Sequence, residues 1–242
     1  YQSYCAWGIH QMARYKTYML REWVYNHNRY CNYKELFLYT PYLATINNLA
    51  SPVIKTADKT MKITYTLKKH DLEVCWEVVN NDSETMYFTI GGHPAFRVPV
   101  REGESQSDYR LAFEGLDTLT YLLIDTSVGT VLADEPHTLS LENGTCSIAP
   151  HMFDKDALVF DNGQIQKAGI LFPDGTPYLT LTSEGFPNFG IWSVPGAPFV
   201  CLEPWMGRCD DCGFEKPLSE KANINVLKPD EEFIKSYQIT VH

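Results

Sequence analysis

The sequence predicts an all-β protein of the sandwich or barrel kind. Three observations predict it: apolar and polar residues alternate with period 2 from about residue 60 onward, the apolar runs are short, and turn residues fall between them throughout. Ile63-Thr64-Tyr65-Thr66-Leu67 leads into the turn Lys68-Lys69-His70-Asp71. Leu72, Val74, Trp76 and Val78 then alternate with Glu73, Cys75, Glu77 and Val79, which reads as a hairpin with one face buried. Asn80-Asn81-Asp82-Ser83 breaks the pattern, and Met86-Tyr87-Phe88-Thr89-Ile90 is a third strand running into Gly91-Gly92-His93. Further strands are expected at Tyr109 to Phe113, Leu119 to Ile124, Ala157 to Phe160, Gly169 to Phe172, Tyr178 to Thr182, Asn188 to Ser193 and Phe199 to Glu203. Phe233, Lys235, Tyr237, Ile239 and Val241 alternate to the C-terminus. Asn143-Gly144, Pro173-Asp174-Gly175 and Pro195-Gly196 mark turns between them.

Residues 1–58 read differently. They hold nine of the fifteen tyrosines but one of the fifteen glycines, and a net charge of +3 against −13 for the rest. Propensity allows a helix across residues 11–39, yet the apolar positions keep no clean 3.6 period. The division expected is an irregular or partly helical segment over 1–58 and a β-sandwich domain over 59–242. The sequence starts at Tyr1 rather than Met, and truncation, a fragmentary gene model or a shifted reading frame would each account for the foreign character of this segment.

Composition excludes several classes of function. A net charge of −10 and a pI near 5.1 offer no basic surface for phosphates, so nucleic acid is not an expected partner. No apolar run approaches the roughly 18 residues of a membrane span, and a soluble cytoplasmic protein with a small polar ligand is expected. Seven scattered cysteines are expected to be reduced thiols. Cys209-Asp210-Asp211-Cys212 has the spacing of half a zinc site or a redox pair. It lacks both a second pair and a βαβ context, so two loop thiols are expected.

Two side chains stand out as candidates for chemistry. Gly91-Gly92-His93-Pro94-Ala95-Phe96 holds a histidine at a strand end, where glycines allow close packing and Pro94 stiffens the exit. That residue either performs proton transfer or caps a turn. Phe199-Val200-Cys201-Leu202-Glu203-Pro204-Trp205 places a glutamate at the end of an apolar strand, where a carboxylate is costly unless paired or used. Desolvation there suits a general base, and pairing with an arginine or with backbone amides is the alternative. Asp156, at the start of the Ala157 to Phe160 strand, either binds a hydroxyl or caps a turn. Trp192 and Trp205 are expected in the core. His137 and His151 read as surface loop residues. With no His-x-His, a cupin-type metal site is disfavoured, and no metal is expected.

The same residues carry a resemblance. Met86 to Phe96, Lys155-Asp156-Ala157-Leu158-Val159-Phe160, Phe189-Gly190-Ile191-Trp192-Ser193, Ala197 to Trp205 with Gly207 and an Asp at 210 or 211, and Leu227 to Phe233 form five ordered blocks. Together they resemble the aldose 1-epimerase (galactose mutarotase) family, in its LacX-like subgroup. The resemblance implies a β-supersandwich with a carbohydrate site and an isomerase that interconverts the α and β anomers of a hexose. It implies that Glu203 is the base taking the proton from the anomeric hydroxyl and His93 the acid protonating the ring oxygen. Asp156 would bind a sugar hydroxyl, and no metal or organic cofactor is implied. The family's N-terminal Arg-Arg block is missing here, and His10-Gln11-Met12-Ala13-Arg14 is the nearest match to its first histidine motif. Two further readings stand beside this one: a non-catalytic carbohydrate-binding or sensing protein, and a hexose-6-phosphate 1-epimerase using Arg97, Arg101 and Arg208. The enzyme reading requires Glu203 and His93 to line one cleft, separated by about the width of a sugar ring.

Overall fold

The computed structural model describes residues 59–242, together with the backbone of Met19–Arg21 and Val53–Lys55. Two β-sheets face each other across one apolar core. The larger runs in the order Thr145–Ser147, Arg110–Phe113, Lys167–Leu171, Pro177–Thr182, Glu232–Val241, Asp71–Asn80, Lys59–Lys68, Val53–Lys55. In the other, Met19–Arg21, Met86–Gly91, Phe199–Met206, Asn188–Trp192 and Leu158–Phe160 lie side by side, with Ala95–Arg97 paired to Phe199–Met206 and Asn225–Leu227 to Met86–Gly91. The helical elements among the described residues are the short 3-10 turns Gln106–Asp108 and Leu218–Glu220. The all-β fold read from the alternation is present, as a sandwich rather than a barrel.

The hairpin read from the sequence is present as Lys59–Lys68 against Asp71–Asn80, with Met61 opposite Val78 and Ile63 opposite Trp76. All four of these side chains are buried. Successive strand residues point to opposite faces, so the register that puts Ile63 against Trp76 commits every second residue to the core. The facing sheet contributes Phe88, Ile90, Leu158, Phe160, Phe189, Ile191, Val200 and Leu202 to the same cluster. Trp76, fully buried, meets the edges of Phe186 and Tyr237 with ring centroids 5.8 and 5.6 Å away. Burying that much aromatic surface at interior packing density favours a fixed spacing between the sheets.

The strand expectations need adjusting in places. Leu119 to Ile124 is two strands, Thr118–Tyr121 and Ile124–Asp125, and Ala95–Arg97, His137–Ser140, Thr145–Ser147 and Asn225–Leu227 are additional. His137 is therefore a strand residue, stacked on Tyr121 at 5.2 Å, because cross-strand pairing outweighs the polar text around it. In the N-terminal segment, Met19–Arg21 is extended and parallel to Met86–Gly91, so the helix that propensity allowed across 11–39 is interrupted there. Val53–Lys55 pairs antiparallel with Lys59–Lys68. The remainder of that helix and the His10 motif lie outside the described residues. Among the described residues no helix is long and apolar enough to cross a membrane.

Candidate active site

The parity of the Phe199–Met206 strand builds the site. Val200 and Leu202 point into the core, so Cys201, Glu203 and Trp205 point to the sheet's other face. Alongside runs the Gly91 to Ala95 arch, in register at both ends: Gly91 lies opposite Trp205 and Ala95 opposite Cys201. Two backbone bonds close the arch, Gly92 N–H to the Pro204 carbonyl at 2.9 Å and Leu202 N–H to the Pro94 carbonyl at 3.3 Å. His93 sits midway between these ties, which sets it across from Glu203. Its Nδ1 is 3.2 Å from Glu203 Oε1.

The two partners differ in exposure, 40% for the His93 side chain and 8% for that of Glu203. A carboxylate is thus sunk in the sheet surface beneath a ring that reaches solvent. The separation corrects the expectation of a sugar ring's width between them. The register forces a direct contact, since opposed residues of an antiparallel pair lie only about 4.5–5.5 Å apart at Cα. Cys201 completes a cluster whose His93, Cys201 and Glu203 donor atoms all lie within 4.8 Å of one another. Burial pushes the Cys201 thiol well above its ordinary range, and the charge of Glu203 pushes in the same direction.

Aromatic rings wall this pair. Trp192, opposite Cys201 on the neighbouring strand, meets the His93 ring edge-on at 5.7 Å and packs against Phe199 at 5.8 Å. Trp205 packs with Leu122, Val131 and Val159, a small cluster on the far side of the sheet from the main core. Trp192 therefore sits on the site face rather than in the main core, and Trp205 packs in this smaller core cluster on the same face of the sheet. Their parity follows Glu203, not Leu202.

The glycines serve the close packing expected of them. A Cβ on Gly91 would lie 2.4 Å from the Trp205 indole, and one on Gly92 would lie 3.0 Å from the Tyr237 hydroxyl. Gly190, which pairs with Glu203, is closer still, with Cβ 2.3 Å from the same indole. Absence of side chains lets Trp205 lie flat across the strands beside Glu203.

Asp156 is placed two residues before Leu158–Phe160, the strand that borders Asn188–Trp192. It adopts a left-handed φ of 73°, and its Oδ1 accepts the Ala157 N–H at 2.7 Å, the turn-capping geometry. It is not a member of the His93–Cys201–Glu203 cluster. His151 is exposed and pairs with Asp154 at 2.9 Å, as its sequence setting suggested. The cysteines among the described residues are free thiols, including Cys209 and Cys212.

A second polar assembly went unread in the sequence. Arg208, 8% exposed in its side chain, binds both carboxylate oxygens of Asp161 and lies 2.7 Å from Asp211. Asn188 donates a further hydrogen bond to Asp161 at 2.7 Å. Burial works against the charge of Arg208, but Asp161 and Asp211 outweigh it and hold the guanidinium protonated beyond its usual range. Cys201 lay within the Phe199 to Trp205 motif, whereas Arg208 was named in the sequence only as a candidate for phosphate. The i, i+2 spacing of Cys201 and Glu203 was the signal that puts the thiol on the site face.

A two-sheet sandwich that holds a histidine and a glutamate in contact on the outer face of one sheet defines the class of molecule. Comparison with known families makes it specific: the chain belongs to the aldose 1-epimerase family, whose model matches residues 57–234. It is 29% identical over 184 residues to the plasmid and chromosomal LacX proteins of Lactococcus lactis subsp. lactis, a span of 75% of this chain. That span is 61% of the length of these curated relatives. Among solved structures, the galactose mutarotase related enzyme from Lactobacillus acidophilus superposes with a TM-score of 0.68 at 24% identity, covering 81% of this chain and 72% of that one. A galactose mutarotase-like protein from Lactobacillus casei ATCC 334 gives 0.64 at 24%, covering 79% and 73%. These likenesses establish the galactose mutarotase-like fold.

Proposed function

We propose that this protein interconverts the α and β anomers of an aldose, a hexose in the simplest case, by acid and base opening of the ring. The observation that carries the reading is the 3.2 Å contact between His93 and Glu203 on the outer face of the sheet. Mutarotation moves a proton off the anomeric hydroxyl and puts one on the ring oxygen. Both oxygens are bonded to the same carbon, so a base and an acid in contact with each other match the reaction better than a pair a full ring apart. Glu203 takes the hydroxyl proton, His93 gives one to the ring oxygen, and the bond from that oxygen to C1 breaks to leave the open-chain aldehyde. Rotation about the next carbon–carbon bond presents the other face. On closure His93 regains its proton from the attacking hydroxyl and Glu203 returns one to the carbonyl oxygen, so both groups end as they began. The cycle requires no metal or organic cofactor. Asp156 is assigned to a sugar hydroxyl through the family resemblance, with one carboxylate oxygen committed to the Ala157 N–H.

A phosphorylated substrate is less well supported. Of the three arginines that such a reading calls on, Arg208 is closed in by Asp161 and Asp211. Arg101 lies 4.1 Å over the Phe172 ring and pairs with Glu104 and Asp174. Polarimetry of freshly dissolved α-glucose and α-galactose tests the proposal, with Glu203→Gln and His93→Asn beside the unmodified protein. Each substitution is expected to lower the rate by about 10²-fold or more, the usual contribution of one proton-transfer group. An unmodified protein no faster than its variants, yet still binding sugar, would assign it to the non-catalytic binding class instead.

A further inference from the structure

We propose that His93, Cys201 and Glu203 bind a thiophilic divalent cation, Zn²⁺ foremost, and that the bound ion shuts down the proton-transfer pair. The blocking half of this proposal rests on the roles assigned above to His93 and Glu203; the binding half does not. An imidazole nitrogen, a sulfur and a carboxylate oxygen within 4.8 Å of one another are the three donor types that zinc takes from proteins. Zinc bonds of about 2.0–2.3 Å give tetrahedral edges of about 3.3–3.7 Å, so the widest edge of the cluster needs to contract by about 1.5 Å at most. The edge from His93 to Glu203, at 3.2 Å, is already there.

Two features select the kind of ion. One sulfur, one nitrogen and a single carboxylate make a poor cage for Mg²⁺ or Ca²⁺, which take oxygen ligands in larger number. Cys201 is fully buried, and a thiol gives up its proton to solvent as a metal–sulfur bond forms. Only a cation with strong affinity for thiolate drives this readily. The half-exposed His93 side leaves a fourth position open to water. An ion held there engages Glu203 and His93 through the very atoms that carry protons, so it competes with catalysis without unfolding the sheet.

The test uses the full chain, freed of metal by dialysis against a chelator. Zn²⁺ binding is measured by competition with a chromophoric chelator, and Co²⁺ serves as a spectroscopic stand-in. The expected result is one tight Zn²⁺ per chain and a thiolate-to-cobalt charge-transfer band. Both His93→Asn and Cys201→Ala should weaken binding at least about tenfold, while a Cys209→Ser/Cys212→Ser double variant should leave it unchanged. Because Cys201 is buried, circular dichroism is read on its variant. The half-exposed His93→Asn keeps the test valid if Cys201→Ala misfolds. Absence of binding, binding insensitive to both single variants, or binding lost only with the 209/212 pair overturns the site. Mutarotation by metal-free protein that Zn²⁺ leaves undiminished at saturation overturns the blocking half. A metal-free protein that never accelerates mutarotation overturns the proposed function and, with it, the blocking half, while the binding result is still decided.

Discussion

Gly190 shows how a residue without a side chain shapes the chemistry. It pairs with Glu203 across the sheet, and its bare Cα lets the Trp205 indole lie within 2.3 Å of where a Cβ would stand. Gly190→Ala is therefore expected to lift the indole off the strand beside Glu203. Misplacement of that order in a proton-transfer site costs about 10-fold to 10²-fold in rate, and the displaced ring should shift the tryptophan emission maximum. A normal rate with shifted emission would show that Trp205 has no part in holding the site. The residues that the sequence singled out for proton transfer, His93 and Glu203, do meet. Their candidacy was legible because a titratable side chain among Gly, Pro and apolar neighbours is unusual. Cys201 was not, since a cysteine in an apolar run reads as a small hydrophobe. Asp156 keeps both of its original readings, with the turn-capping bond now visible.

At the scale of elements, the long strands were legible and several of the short ones were not. Asp71–Asn80 and Glu232–Val241 run for ten residues each, enough for period 2 to emerge, whereas Ala95–Arg97 and Thr145–Ser147 have three residues and no period to read. The Thr145–Ser147 strand ends its sheet beside Arg110–Phe113. Within it, burial raises the Cys146 thiol from an ordinary value of 9.0 to about 11, with Arg110 pulling weakly the other way. The folded state thus holds this proton more tightly than the unfolded chain. The stability so gained is fully present below about pH 9 and is lost as pH rises toward about 11. Melting temperature followed across that window should fall, and Cys146→Ala should flatten part of the decline. An identical decline in the variant would place the alkaline sensitivity elsewhere.

For the molecule as a whole, the Arg208 assembly links the end of the Leu158–Phe160 strand to the loop that follows Phe199–Met206. Removing its cation would strand Asp161 and Asp211 together, and Arg208→Ala is expected to cost about 3–5 kcal/mol in urea denaturation. Arg208→Met combined with Asp161→Asn should cost less, because the carboxylate left behind is the more exposed Asp211 alone. Equal losses in both variants would mean that packing, not charge, makes the contribution. This linkage also withdraws Arg208 from any role in binding phosphate, although the sequence had offered it as a free cation. Alternation along the chain determined by itself that this is an all-β protein and which residues fill its core in the longer strands, and five ordered blocks pointed to its family. Those are local properties: a period of 2 and a motif can be read without knowing what lies across the sheet. Only the tertiary structure decided that His93 contacts Glu203 directly, that Cys201 joins them, that both tryptophans face the site, and that Arg208 is spent on Asp161. Each of these depends on register between strands as much as a hundred residues apart in sequence, and register is set by which faces bury together when the two sheets close, information that no single segment carries.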